Sequence, residues 1–161
     1  MEQALFYILA AVTVIATLFA ITEKHPVHAI VYLVTSFFAL AVVFYLLLAP
    51  LVAVFEVIIY AGAVMVLFLF VIMMLDLGHP EKGHRPTLAR WLPALLLAGI
   101  ILGSVLLLAG SYLPAQPATT GSMGVHDFAV TLFSRYGVAV EIISMQLLFA
   151  VVGALYLGRR R

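Results

Sequence analysis

Two carboxylic acids interrupt otherwise uncharged stretches of this sequence, and they are where proton chemistry has a foothold. Glu56 is the only charged residue between Lys24 and Asp76, and Glu141 the only one between Arg135 and Arg159. Ionisable groups inside long apolar runs are expensive to place and are functional suspects by default. Glu56 suits a group that takes up and releases protons. Tyr60 follows it at i+4, on the same helical face and within reach of a shared hydrogen-bond network. The plainer reading is an acid that only bonds to a neighbouring helix, and the residue types alone do not separate the two. The stretch Tyr60-Ala61-Gly62-Ala63 puts three small side chains directly after Tyr60. Small residues let another helix approach closely, and glycine marks a place where a helix can deform. Ordinary packing accounts for the patch; its functional version is a local π-bulge or hinge. Glu141 falls in the first turn of the last apolar run, where a carboxylate complements the helix dipole, so a structural role is favoured there.

Other chemistry finds little support. His25, His79, His84 and His126 fall in connecting segments and only His28 enters an apolar run, whereas an intramembrane bis-histidine haem needs two at depth. Met65, Met73 and Met74 read as packing residues. No phosphate-binding loop, nucleophilic triad or dinucleotide fingerprint is present in the sequence.

The chain that must position these residues has 161 of them, 66% hydrophobic and 9% charged, without cysteine. Average proteins carry about 25% charged residues, and so few charges cannot cover a soluble domain of this size. A soluble enzyme, a disordered chain and a nucleic-acid binder are thereby excluded. The formal net charge of +1 offers no basic patch for phosphate, and the missing thiols exclude thiolate metal sites, iron–sulfur ligation and disulfides.

What remains is an all-α integral membrane protein, a single membrane domain over 1–161. A crossing needs roughly 20 apolar residues, and the uncharged runs place five spans at about 3–22, 27–48, 51–75, 91–113 and 138–157. The runs are continuous rather than alternating, which favours helices over barrel strands. Glu56 then lies about 7–8 Å along the axis from Leu51 at the start of the third span. Pro26 and Pro93 suit the first turns of spans two and four. Ala49-Pro50 makes a very short link, and Trp91 and Tyr112 suit interfacial anchors. The outer loop, 114–137, is rich in Pro, Gly, Ser and Thr at first, and its second half, Val125 to Tyr136, reads as a short helix at the surface. Lys24, Lys82, Arg85, Arg90 and Arg159 to Arg161 fall on one side of the membrane and only Arg135 on the other. Positive residues favour the cytoplasm, so the N-terminus is expected outside and the C-terminus inside. Met1-Glu2-Gln3 lacks the positive start of a cleaved signal, and an odd number of spans argues against simple paired repeats.

The run from Glu56 to Leu75, opening Glu56-Val57-Ile58-Ile59-Tyr60-Ala61-Gly62-Ala63-Val64-Met65, closely resembles the third helix of the chain J family of the proton-pumping NADH:quinone oxidoreductase. That enzyme is respiratory complex I, and mitochondrial NADH dehydrogenase subunit 6 is the family's counterpart there. Pro26 to Leu33, and Thr131-Leu132-Phe133 through Tyr136, Glu141 and Ser144-Met145, are similar too, so the resemblance covers essentially the whole chain. It implies a core subunit of the membrane arm, in the bacterial cytoplasmic (inner) membrane beside the quinone chamber. Expected partners are the small chains A, H and K and the antiporter-like chain N. FMN, iron–sulfur clusters and quinone are expected in other subunits, and no cofactor in this chain. The resemblance also implies that the segment from Tyr60 through Ala63 to Met65 switches between π-bulged and regular forms, opening or closing a hydrated proton path. Glu56 and Tyr60 match the polar positions of that helix, and Gly62 the glycine that permits the twist. Glu81 matches an acid of some relatives, though a solvated loop carboxylate explains it equally well. Mitochondrial relatives read Tyr-Leu-Gly-Gly where this chain has Tyr60-Ala61-Gly62-Ala63, so less backbone freedom is expected here. A structural membrane subunit of another multi-subunit cation antiporter or transporter is the alternative.

Overall fold

The computed structural model describes residues 2–75, 88–112 and 124–159, whose regular elements are all helical. Among the described residues, five helices are long and apolar enough to cross a membrane: Gln3–Thr22, Pro26–Leu46, Pro50–Met74, Leu92–Gly110 and Gly137–Gly158. Their ends fall within three residues of the spans expected from the charge pattern. The chain divides into two units, Met1–Thr120 and Gly121–Arg161.

In the first unit, α1 (Glu2–Thr22) and α2 (Pro26–Leu46) form a hairpin. The Glu23 carboxylate closes its turn by accepting from the backbone N–H groups of Lys24 at 3.1 Å and His25 at 3.4 Å. Pro26 stands at the start of α2, where its missing N–H leaves no intrahelical bond unmade. Leu9, Val12 and Ala16 of α1 pack with Tyr32, Ala39 and Val43 of α2, and Leu97 and Ile101 of a later helix complete the core. These positions recur at three- and four-residue intervals, the spacing of one helical face. The Thr17 and Ser36 hydroxyls meet across the pair at 2.8 Å, and both bond the Thr13 carbonyl, at 2.8 Å and 3.1 Å. Such interhelical bonds in membranes average about 0.6 kcal/mol. They fix the register of two surfaces that are otherwise uniformly apolar.

The link out of α2 is a Schellman closure. The Leu48 N–H bonds the Tyr45 carbonyl and the Ala49 N–H that of Phe44, both at 3.1 Å. That motif puts one residue in the left-handed region, usually glycine. Here it is Leu48, with φ of 61°. Pro50 then begins α3 (Pro50–Phe55), which continues into a π-helical segment (Glu56–Val64) and α4 (Met65–Met74). The three together are the third span.

The helix α5 (Leu88–Tyr112) packs on α2 and α1. It begins before the expected start, so Pro93 is inside it rather than in its first turn. Leu88-Ala89-Arg90-Trp91 contains good helix formers that extend the helix backwards. One i→i−4 bond is lost there, to the carbonyl of Ala89. Ser104 and Thr35, buried in α5 and α2, return their hydroxyls to the carbonyls of Ile100 and Val31 at 2.8 Å.

In the second unit, α6 (Val125–Arg135) is the short helix expected there, and α7 (Gly137–Gly158) is the fifth span. Tyr136 alone separates them. Its N–H bonds the Leu132 carbonyl, and its own carbonyl accepts from Val140. No residue of α7 is buried within the chain.

Candidate functional site

The third span places every residue of the Glu56–Met65 set. Four buried positions run down it, Ala53, Glu56, Ala61 and Met65, at 7%, 8%, 7% and 6% exposure. A regular α-helix keeps one face inward by steps of three and four residues. Here the steps are three, five and four. The five-residue step lies inside the π segment, where i→i+5 bonding fits an extra residue into the turn. The Met65 N–H shows this bonding directly, reaching the carbonyl of Tyr60 as well as that of Gly62. At the other end the Glu56 N–H still bonds in the α manner, to Val52 and Ala53. The Glu56 carboxyl thus sits at the junction where α winding gives way to π winding, on the side packed against α2.

Tyr60 does not share that buried face. The π winding turns Ala61 inward in its place and leaves Tyr60 50% exposed. Its ring lies beside Phe37 of α2, centroids 5.7 Å apart and planes at 47°. The common face expected of Glu56 and Tyr60 presupposes α winding, and the winding here is different. Gly62 is half-buried and Ala63 exposed. A Cβ added at Gly62 would stand 3.2 Å from the Val57 carbonyl oxygen, the carbonyl five residues back. That distance is tighter than most Cβ contacts, so a side chain here would require the carbonyl to give way by a few tenths of an ångström.

Next to this segment is an apolar hollow of about 670 Å³, with Phe38, Tyr45, Ala53, Val57, Ile101 and Leu108 among its walls. Its lining offers almost nothing to hold an ion.

The other candidates lie elsewhere. Glu141 is exposed, and it is the fifth residue of α7, past the first turn in which it was expected. The helix starts at Gly137, one residue before the expected position, and dipole stabilisation fades beyond the first turn. Ser144 donates to the backbone carbonyl of Glu141 at 2.7 Å. Glu81 lies outside the described residues, as do His79 and His84. Among the described residues, no three His, Asp or Glu side chains are grouped to hold a metal ion. The Thr13–Thr17–Ser36 node was not singled out from sequence. Its signal was two threonines four residues apart in an apolar span.

Five apolar crossings, with a buried acid at the head of a π segment in the third, define a multi-pass helical membrane protein. The chain belongs to the family of NADH-ubiquinone/plastoquinone oxidoreductase chain 6, whose profile matches residues 16–157. It is 38% identical to NADH-quinone oxidoreductase subunit J of Pseudomonas aeruginosa, over 96% of this chain and 95% of that one. It is also 38% identical to the subunit J of Escherichia coli K12, over 96% and 85%. With that of Rhodobacter capsulatus it shares 35%, over 96% and 80%. The whole Glu56–Met65 segment falls inside the matched region.

Proposed function

We propose that this chain serves in the membrane arm of a proton-pumping NADH:quinone oxidoreductase, coupling quinone reduction to proton translocation through its third span. One observation supports the reading most: a member of the chain 6 family holds a buried acid, Glu56, at the entry to a nine-residue π segment. Such segments are rare and concentrate at functional sites. Coupling two distant sites requires an element with two discrete arrangements that both sites bias, and a helix that can be wound in two ways is such an element. In the π form Ala61 faces α2. In an α form the inward step of four would bring Tyr60 round beside Glu56, joining a phenol and a carboxyl in one hydrogen-bonded path.

In this reading the protein sits in the bacterial inner membrane with its N-terminus outside. Chains A, H and K are its neighbours, and the antiporter-like chain N receives the coupling. Flavin, iron–sulfur clusters and quinone belong to other subunits, where electron transfer takes place. This chain contributes the switchable helix and the buried acid.

The test is Gly62→Leu in the assembled enzyme. A leucine Cβ would press on the Val57 carbonyl and disfavour the π form. Quinone-linked NADH turnover and proton uptake into inverted vesicles are expected to fall together, with subunit composition unchanged. Normal pumping by a fully assembled variant would refute the hinge.

A further inference from the structure

α6 carries a feature that the coupling role does not use. Val125, Phe128, Ala129, Leu132, Phe133 and Tyr136 follow one another at helical spacing and form one apolar stripe. His126, Asp127, Thr131, Ser134 and Arg135 make up the other side, with the exposed Val130 as its one apolar member. Within the chain the stripe is only partly covered: Val125 is 68% exposed, Phe133 66% and Tyr136 53%. A helix of 11 residues is below the roughly 12–15 that are marginally stable alone in water. Something must therefore cover the stripe to hold α6 together.

The position of α6 indicates what does. α7 has 22 residues, about 33 Å at 1.5 Å per residue, which already spans a hydrocarbon core of about 30 Å. Its Gly137 end therefore lies at a membrane surface, and α6 ends one residue before it. We propose that α6 is an interfacial anchor that lies along the bilayer surface, with Phe133 and Leu132 at the acyl-chain boundary and its polar side in water. Amphipathic helices of this kind bury their apolar face about 5–10 Å into the headgroup boundary. Arg135, in the last turn of α6, is placed beside the lipid phosphates, and Tyr136 takes the interfacial level that suits a tyrosine.

The chain has no cysteine, so single nitroxide labels are clean. Asp127→Cys, Ala129→Cys, Thr131→Cys and Phe133→Cys would each be labelled in the full chain, in phosphatidylcholine–phosphatidylglycerol nanodiscs. The readout is collision with oxygen against collision with a water-soluble nickel chelate. The oxygen-to-nickel ratio is expected to be several-fold higher at 129 and 133 than at 127 and 131. A water-like ratio at all four positions would overturn the anchor. Protection of 129 and 133 from both reagents would also overturn it, in favour of a protein contact. Because a label can disturb a short helix, Phe133→Trp in a Trp91→Phe chain provides a second reading. Lipids brominated along the acyl chain should quench its fluorescence, and quenching by aqueous iodide alone would refute the proposal.

Discussion

Glu56 is held at 8% exposure in a span with no other charged residue, so its surroundings decide what it does. In the proposed role the carboxyl exchanges protons with the path, whereas an amide holds a hydrogen-bonded network without carrying a charge. Glu56→Gln is therefore expected to slow quinone-linked pumping less than Gly62→Leu does. An unchanged rate together with an unchanged proton-to-electron ratio would reduce Glu56 to a packing residue. The placement of Glu56 inside a span was legible in the sequence as an isolated charge in an apolar run. The orientation of Tyr60 was not, because the i+4 rule that pairs it with Glu56 assumes 3.6 residues per turn. Gly62 hinted at a deformation, but one glycine does not say how many residues the distorted winding takes in.

At the scale of elements, the short link between α2 and α3 was read correctly from Ala49-Pro50, but the conformation it imposes was not. Nothing in its residue types announces a leucine in the left-handed region. For a non-glycine residue that conformation costs roughly 1–2 kcal/mol. Leu48 is 82% exposed and loses little packing when it is shortened. Leu48→Gly is thus expected to stabilise the purified chain by about 1 kcal/mol, measured as a shift in its unfolding midpoint in mixed detergent. Destabilisation would mean that the exposed side chain makes contacts worth more than the strain. Glu141 and Pro93 show how small errors in a helix start move a residue out of the first turn, since α7 begins one residue and α5 three residues before the expected positions. The α1–α2 pairing was also hidden, because helices that are apolar all round show no stripe to reveal which side packs.

At the scale of the molecule, the count of five crossings was readable because charges are so scarce that nearly all of them, Glu56 and Glu141 apart, fall between or at the ends of the spans. The expected orientation, N-terminus outside, rests on seven positive residues against one. Ser122→Cys, just before α6 and outside the described residues, should react with an impermeant thiol reagent added to intact cells. Protection in intact cells with reaction after lysis would invert the topology. Much of the third and fifth spans remains uncovered by the chain itself, Phe68, Phe70 and Leu155 included, as suits a subunit surrounded by lipid and other chains. The backbone closure at Leu48 has a mechanical consequence. It clamps one end of the third span to α2, so α3 has no slack with which to turn. In the proposed role, absorbing the one extra residue of the π segment into regular α winding would rotate what lies beyond it by about 100° and shift it by about 1.5 Å. With one end fixed, that rotation would be delivered at the other, and α4 would be the shaft that turns.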